Sequence, residues 1–218
     1  MICEYCGAPL DPGARYCEKC GRRVHEFHGI GLGSQTQLYT PITDENVLFE
    51  GKNDLYILDL SSNKIYNQNN DQVGKIQFKE KLFKIICKVY DPEDNLVLQI
   101  SPVLLSPATL YKFMNSKGRD IARIKKPTFS AMPTRFYIES PFNEKWFQIL
   151  RATNYKIQSF ATDEIVAEFG KINSFKEIFL DLEIKNPRNT YLLKINDRRV
   201  DRAIIIGTFL SYFMITRK

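Results

Sequence analysis

Residues 203–216, AIIIGTFLSYFMIT, carry no charge and present an apolar surface in every direction when wound as a helix. The charged run NDRRVDR precedes them, and Arg217 and Lys218 follow. Such a helix would be about 21 Å long, at about 1.5 Å per residue. A bilayer core takes roughly 20 apolar residues, so a straight span falls several residues short. A helix that is hydrophobic all round must still be buried somewhere. Either a membrane receives it, or the rest of the chain wraps around it. Gly207 and Ser211 are four apart and share one helical face, where a strand can approach closely.

The upstream chain favours wrapping. After Pro41, short runs rich in β-branched and aromatic residues recur with turn-forming clusters between them. The runs are 55–60, 65–67, 73–79, 82–90, 96–105, 109–114, 121–126, 135–139, 146–151, 155–160, 164–169 and 179–184. Several alternate cleanly. Ile76 and Phe78 oppose Lys75, Gln77 and Lys79, while Phe83, Ile85, Cys87 and Val89 oppose Lys84 and Lys88. Alternation gives each strand one buried and one wet face, as in antiparallel sheets. About twelve such strands must protect their edges, and closure removes the edges altogether. A barrel of that size has a lumen too wide for its own side chains to fill. An all-apolar helix about 10 Å across fills it. The expected fold is mainly β (α+β): a small metal module, then a closed antiparallel barrel of about twelve strands around a central C-terminal helix.

The metal module is written at the N-terminus. Cys3 and Cys6, then Cys17 and Cys20, form two C-x2-C pairs, followed by Gly7 and Gly21. Zinc takes four soft ligands in a tetrahedron, and each tight pair offers two thiolates from one turn. CEYCGAPLDPGARYCEKCG resembles a zinc ribbon. With all four ligand positions filled, the zinc is expected to be structural. His25 and His28 read as linker residues. The domains expected are a ribbon at 1–23, a flexible Gly-rich linker at 24–40, and the barrel at 41–218.

The first residues have no basic start or apolar core segment, so no signal peptide is read there. Clustered cysteines without a secretion signal point to metal in a reducing, cytoplasmic setting, with peripheral membrane association left open. The net charge of +6 allows anionic partners. In the ribbon, Arg15, Lys19, Arg22 and Arg23 face Glu4, Asp11 and Glu18, and four thiolates on one zinc turn the total negative. That disfavours nucleic acid and leaves a protein as the ribbon's partner.

Three stretches of the barrel region, taken in order, resemble the tubby-like barrel of phospholipid scramblases and the LURP-one-related proteins. Residues 111–126, YKFMNSKGRDIARIKK, resemble that family's strand, turn, strand and lysine pair. Residues 163–171, DEIVAEFGK, resemble its strand with a following lysine, and 201–214 its terminal helix. The resemblance spans residues 41–218 and implies lipid or membrane-surface association. The scramblase branch has an acidic segment proposed to bind calcium. The matching stretch here, 170–183, carries Lys171 and Lys176, so calcium is not expected.

Basic residues fall in two strand pairs: Lys75, Lys79, Lys84 and Lys88, then Lys117, Arg119, Arg123, Lys125 and Lys126. On one flank they would suit anionic head groups; the plainer reading is solvated strand faces with lysine guarding edges. There is no Gly-x-Ser-x-Gly, no phosphate loop with lysine, and no histidine beside a nucleophile. The expectation is a non-enzymatic protein that binds lipid or a membrane surface, or else a soluble adaptor acting through its ribbon.

Overall fold

The computed structural model describes Leu48 and residues 54–81, 84–103, 106, 109–126, 136–175 and 187–216. The first strands are β1 (Leu55–Asp59), β2 (Lys64–Asn67), β3 (Gln72–Lys81), β4 (Lys84–Tyr90), β5 (Leu96–Pro102) and β6 (Thr109–Asn115). Then come β7 (Asp120–Lys126), β8 (Phe136–Glu139), β9 (Lys145–Arg151), β10 (Tyr155–Ser159), β11 (Ile165–Lys171) and β12 (Thr190–Ile195). The helix α1 (Arg202–Thr216) ends the described chain. Each strand pairs antiparallel with its neighbours in sequence, and β1 pairs with β12 to close the barrel.

Alternating side chains build the interior. Register pairs such as Ile100↔Phe113, Ile138↔Phe147 and Phe169↔Leu193 carry one buried face from strand to strand. None of these six side chains is more than 1% exposed. Cys87 belongs to the same core. On the opposite face, Ile57 and Leu192 pair across β1 and β12 and are also buried.

The apolar segment fills the lumen. Every residue from 202 to 211 is buried. Its rings meet strands on many sides: Phe209 against Phe169 of β11 and Tyr191 of β12, Tyr212 against Phe136 of β8 and Tyr155 of β10, and Phe213 against Phe78 of β3. Gly207 faces Phe113 of β6. Each large apolar side chain so buried contributes about 1.5–3 kcal/mol. The two hydroxyls inside bond the helix's own carbonyls, Thr208 to Ile204 at 2.8 Å and Ser211 to Gly207 at 2.7 Å. Asp201 Oδ1 caps the helix by accepting from the Ala203 amide at 2.8 Å. Among the described residues no helix is long and apolar enough to cross a membrane.

The expected run at 179–184 is not among the described residues, and the twelfth strand of the closed barrel lies further on. The strand between β11 and β1 is Thr190–Ile195, a segment that periodicity alone did not single out; residues 179–184 lie outside the described residues.

At the end where α1 begins, five hairpins repeat one turn. Their first residues are Asn67, Asp91, Asn115, Ser140 and Ser159, all buried. Each side-chain oxygen accepts backbone amides of its own loop, for example Asn115 Oδ1 from Lys117 at 3.1 Å and Arg119 at 2.9 Å. The second residue before the return strand is left-handed in every case: Asn70, Asp94, Gly118, Asn143 and Asp163, with φ of 66°, 66°, 74°, 68° and 58°. Asn, Asp and Gly tolerate that conformation best. A bulge follows in each ladder. Five buried polar side chains thus close the barrel floor while satisfying its loop amides.

Candidate functional site

An up-and-down barrel sorts its connections by parity. Turns from even to odd strands lie at the floor, where α1 starts. Turns from odd to even strands lie at the opposite end, the mouth, where α1 finishes.

Among the described residues the two ends differ in charge. Among the described residues, Lys79, Lys125, Lys126, Arg151, Lys171 and Arg188 stand at the mouth, against Asp59 and Glu80. Lys81 and Lys84 flank the β3–β4 connection there. The floor carries Asp54, Asp71, Glu93, Asp94, Glu144, Asp163, Glu164 and Asp197, with the buried Asp91 and Asp201, against Lys117, Arg119, Lys145, Lys194, Arg198, Arg199 and the buried Arg202. Several of those floor cations are paired: Arg198 with Asp54 at 2.6 Å, and Arg199 with Asp197 at 2.8 Å and Glu164 at 3.7 Å. The helix dipole runs the same way, its positive end at the acidic floor and its negative end at the basic mouth.

The nine basic residues singled out by strand pair are therefore divided. Lys79, Lys125 and Lys126 stand at the mouth ends of β3 and β7, and Lys84 is the first residue of β4. Lys117 and Arg119 sit in the β6–β7 turn at the floor. Lys75 is bound to Asp94 at 2.7 Å, and Arg123 lies 3.7 Å from Asp120 on the barrel wall. Lys88 faces outward between Gln77 and Gln99. Strand-pair grouping missed Arg151, Lys171 and Arg188, which belong to the mouth by parity of their connections, while Lys64 lies on the wall opposite Lys75.

Inside the basic rim lies an aromatic collar. The Tyr155 and Tyr212 rings are 4.6 Å apart, Phe136 is 5.1 Å from Tyr212, and Lys126 Nζ lies 6.0 Å from the Phe136 ring centre. Tyr212, Phe213 and Ile215 are half-buried, so the C-terminal turn of α1 is part of the mouth surface. Burial, followed by its hydrogen bond with Tyr155, pushes the Tyr212 phenol well above its ordinary range. It stays neutral at physiological pH beside Arg151.

Among the described residues, Asp59 and Asp197 are acids held by local partners. Burial works to raise the Asp59 pKa, but hydrogen bonds from Ser61 and Ser62 outweigh it and hold the carboxyl below its ordinary value. The hydrogen bond from Arg199 does most to lower Asp197. Cys87, entirely buried, has its thiol pushed far up by desolvation.

Cys3, Cys6, Cys17 and Cys20 lie outside the described residues. Their donor chemistry suits zinc: four thiolates in two tight pairs would complete a closed tetrahedral site with no open position. Of the 170–183 stretch weighed for calcium, only residues 170–175 are described; there Lys171 and Asn173 are exposed.

These features define a class: an antiparallel barrel filled by its own C-terminal helix, preceded by a ribbon with a zinc-type ligand set. The chain belongs to the LURP-one-related family, whose model matches residues 45–212. A zinc-ribbon domain model matches residues 2–24. A solved X-ray structure of a protein from Arabidopsis thaliana is similar at 13% identity and a TM-score of 0.48, over 80% of this chain and all of that one. No curated protein matches the chain.

Proposed function

We propose that this is a non-enzymatic binding protein whose barrel docks, mouth first, on an anionic membrane surface. The observation that carries the reading is the charge division along the barrel axis. A dipolar particle approaches a negative surface with its basic end forward. Each Lys or Arg near such a surface contributes about 1 kcal/mol. Lys79, Lys125, Lys126, Arg151 and Lys171 together would supply about 5 kcal/mol, a dissociation constant of a few tenths of a millimolar. Docking of that strength is peripheral and reversible. The half-buried Tyr212, Phe213 and Ile215 would sit at the headgroup level, where aromatic side chains with a polar edge are favoured. The ribbon, with its zinc as a structural tie, would hold a protein partner. The scramblase-like part of the resemblance supports lipid as the ligand class but not lipid movement, since fold and activity are separable.

Vesicle flotation tests this. The full-length zinc-loaded protein should float with vesicles containing phosphatidylserine at low salt, and remain in the lower fractions with phosphatidylcholine alone. Equal recovery from both, or from neither, rules the reading out.

A further inference from the structure

The five floor turns differ in what meets the second polar atom of the first residue. In the β2–β3 turn, Asn67 Oδ1 accepts the amides of Asn69 and Asp71, each at 2.9 Å, and Asn67 Nδ2 donates to the Asp71 carboxylate at 3.1 Å. In the β4–β5 turn, Asp91 Oδ1 accepts the amides of Glu93 and Asn95, and Asp91 Oδ2 accepts from Asn95 Nδ2 at 3.0 Å. In both, the side chain four residues on completes the pair. Ser140 and Ser159 have a single side-chain oxygen, which accepts loop amides and leaves no second atom over. The β6–β7 turn breaks the pattern. Asn115 Oδ1 accepts the equivalent amides, Lys117 and Arg119, so flipping the carboxamide would set Nδ2 against two N–H groups. Its Nδ2 is therefore turned, as in Asn67, toward the side chain four residues on. That side chain is Arg119, which offers five donors and no acceptor. Asn115 is 2% exposed, and its Nδ2 has no hydrogen-bond partner. Donors converge here where the sister turn places a carboxylate. A buried donor without an acceptor is rare and calls for an explanation.

We propose that the β6–β7 turn binds one carboxylate from outside the chain, held between Asn115 Nδ2 and the Arg119 guanidinium. The ligand takes the place that Asp71 fills in the β2–β3 turn. The exposed Arg119 side chain swings aside to admit it and closes over it. A planar guanidinium matches a carboxylate with two parallel hydrogen bonds. Room exists beside Gly118, where a Cβ would meet no atom within 4 Å. The adjacent turns carry Glu93 and Asp94 on one side, and Glu144 and Lys145 on the other, so the positive charge is local to Lys117 and Arg119. That suits a single small anion rather than an extended polyanion. A small organic acid and a peptide C-terminus present the same group. The site lies at the far end from the mouth, does not depend on membrane docking, and is tested without lipid.

Nuclear magnetic resonance of the full-length, zinc-loaded protein tests this by following the Asn115 side-chain amide through titrations at constant ionic strength. Sodium acetate should shift that resonance saturably, while the sodium chloride it replaces should not. Acetyl-glycylglycine should act like acetate, and its C-terminal amide should have no effect. A dissociation constant for the peptide at least tenfold below that of acetate assigns the site to chain ends; a smaller difference assigns it to small acids. Arg119→Gln should weaken acetate binding at least tenfold. Arg119→Asp rebuilds the pairing seen between Asn67 and Asp71, so it should melt above Arg119→Gln and bind no acetate. The proposal is overturned if acetate leaves the wild-type resonance unmoved, or if either variant binds acetate as tightly as wild type. It is equally overturned if inorganic phosphate saturates the same resonance at least tenfold more tightly than acetate.

Discussion

Replacing Gly207 by leucine should destabilise the barrel, and the amount follows from one close contact. A Cβ at position 207 would lie 3.0 Å from Phe113 Cδ2 and 3.1 Å from Cε2. The Phe113 ring cannot easily retreat, because Phe113 and its register partners Ile100 and Ala122 are all 0% exposed. Alanine at 207 gains up to about 1 kcal/mol of helix propensity, which offsets a few tenths of an ångström of crowding, so its melting temperature should stay within a few degrees. Leucine adds further carbons against a packed wall, and overpacking of that kind costs about 1–3 kcal/mol. For a chain of this length that lowers the melting temperature by about 3–10 °C. Thermal unfolding of the full-length protein, followed by near-ultraviolet circular dichroism, measures it. Phe113→Ala alone should cost about 3–5 kcal/mol through the cavity it leaves. Combined with Gly207→Leu, it should cost at least about 0.5 kcal/mol less than the sum, because the leucine enters the vacated space. An unchanged melting temperature for Gly207→Leu, or strict additivity in the double variant, would show that this helix face does not pack on β6.

Asn115→Ala should cost about 1–3 kcal/mol in chemical denaturation, since it strips two loop amides of their acceptor at a buried turn. Asp197 has a folded-state pKa below its ordinary value of 3.8, so its contribution is present above that value and lost as pH falls through the folded one. Asp197→Asn should therefore be less stable than wild type near pH 7, with the difference shrinking below about pH 4. Cys87, 0% exposed, should resist alkylation in the native protein and react only on unfolding, as peptide mapping would reveal. Chelation should release one zinc per chain while the barrel keeps its far-ultraviolet signal, because all four thiolates lie in the 2–24 ribbon match and none in the barrel core.

Much of the barrel was legible in sequence because strands such as β6 and β9 alternate between a packed and a wet face. The turn clusters 67–71, 91–95 and 115–119 mark hairpins for a physical reason: Asn and Asp accept their own loop amides and tolerate positive φ. The uniform apolarity of α1 required an enclosing shell, and the strands supplied one. Thr190–Ile195 was harder to see. It carries leucines on both faces, at Leu192 and Leu193, and both are buried, so it lacks the alternation of β6 and β9. The site was less legible than the fold. Lys117 and Lys126 are close in sequence and share a hairpin, yet they stand at opposite ends of the barrel. Arg151 and Lys171 are far apart in sequence and share the mouth. Grouping charges by strand pair hides this; grouping them by alternate turns exposes it, once an up-and-down path is adopted.

Flotation of three proteins side by side tests the central claim most directly. With phosphatidylserine vesicles at low salt, wild-type protein and the floor variant Lys117→Gln/Arg119→Gln should float together, while Lys79→Gln/Lys125→Gln/Lys126→Gln should lose most of its binding. If neutralising the floor cations weakens flotation as much as neutralising the mouth, the barrel does not dock by its basic end.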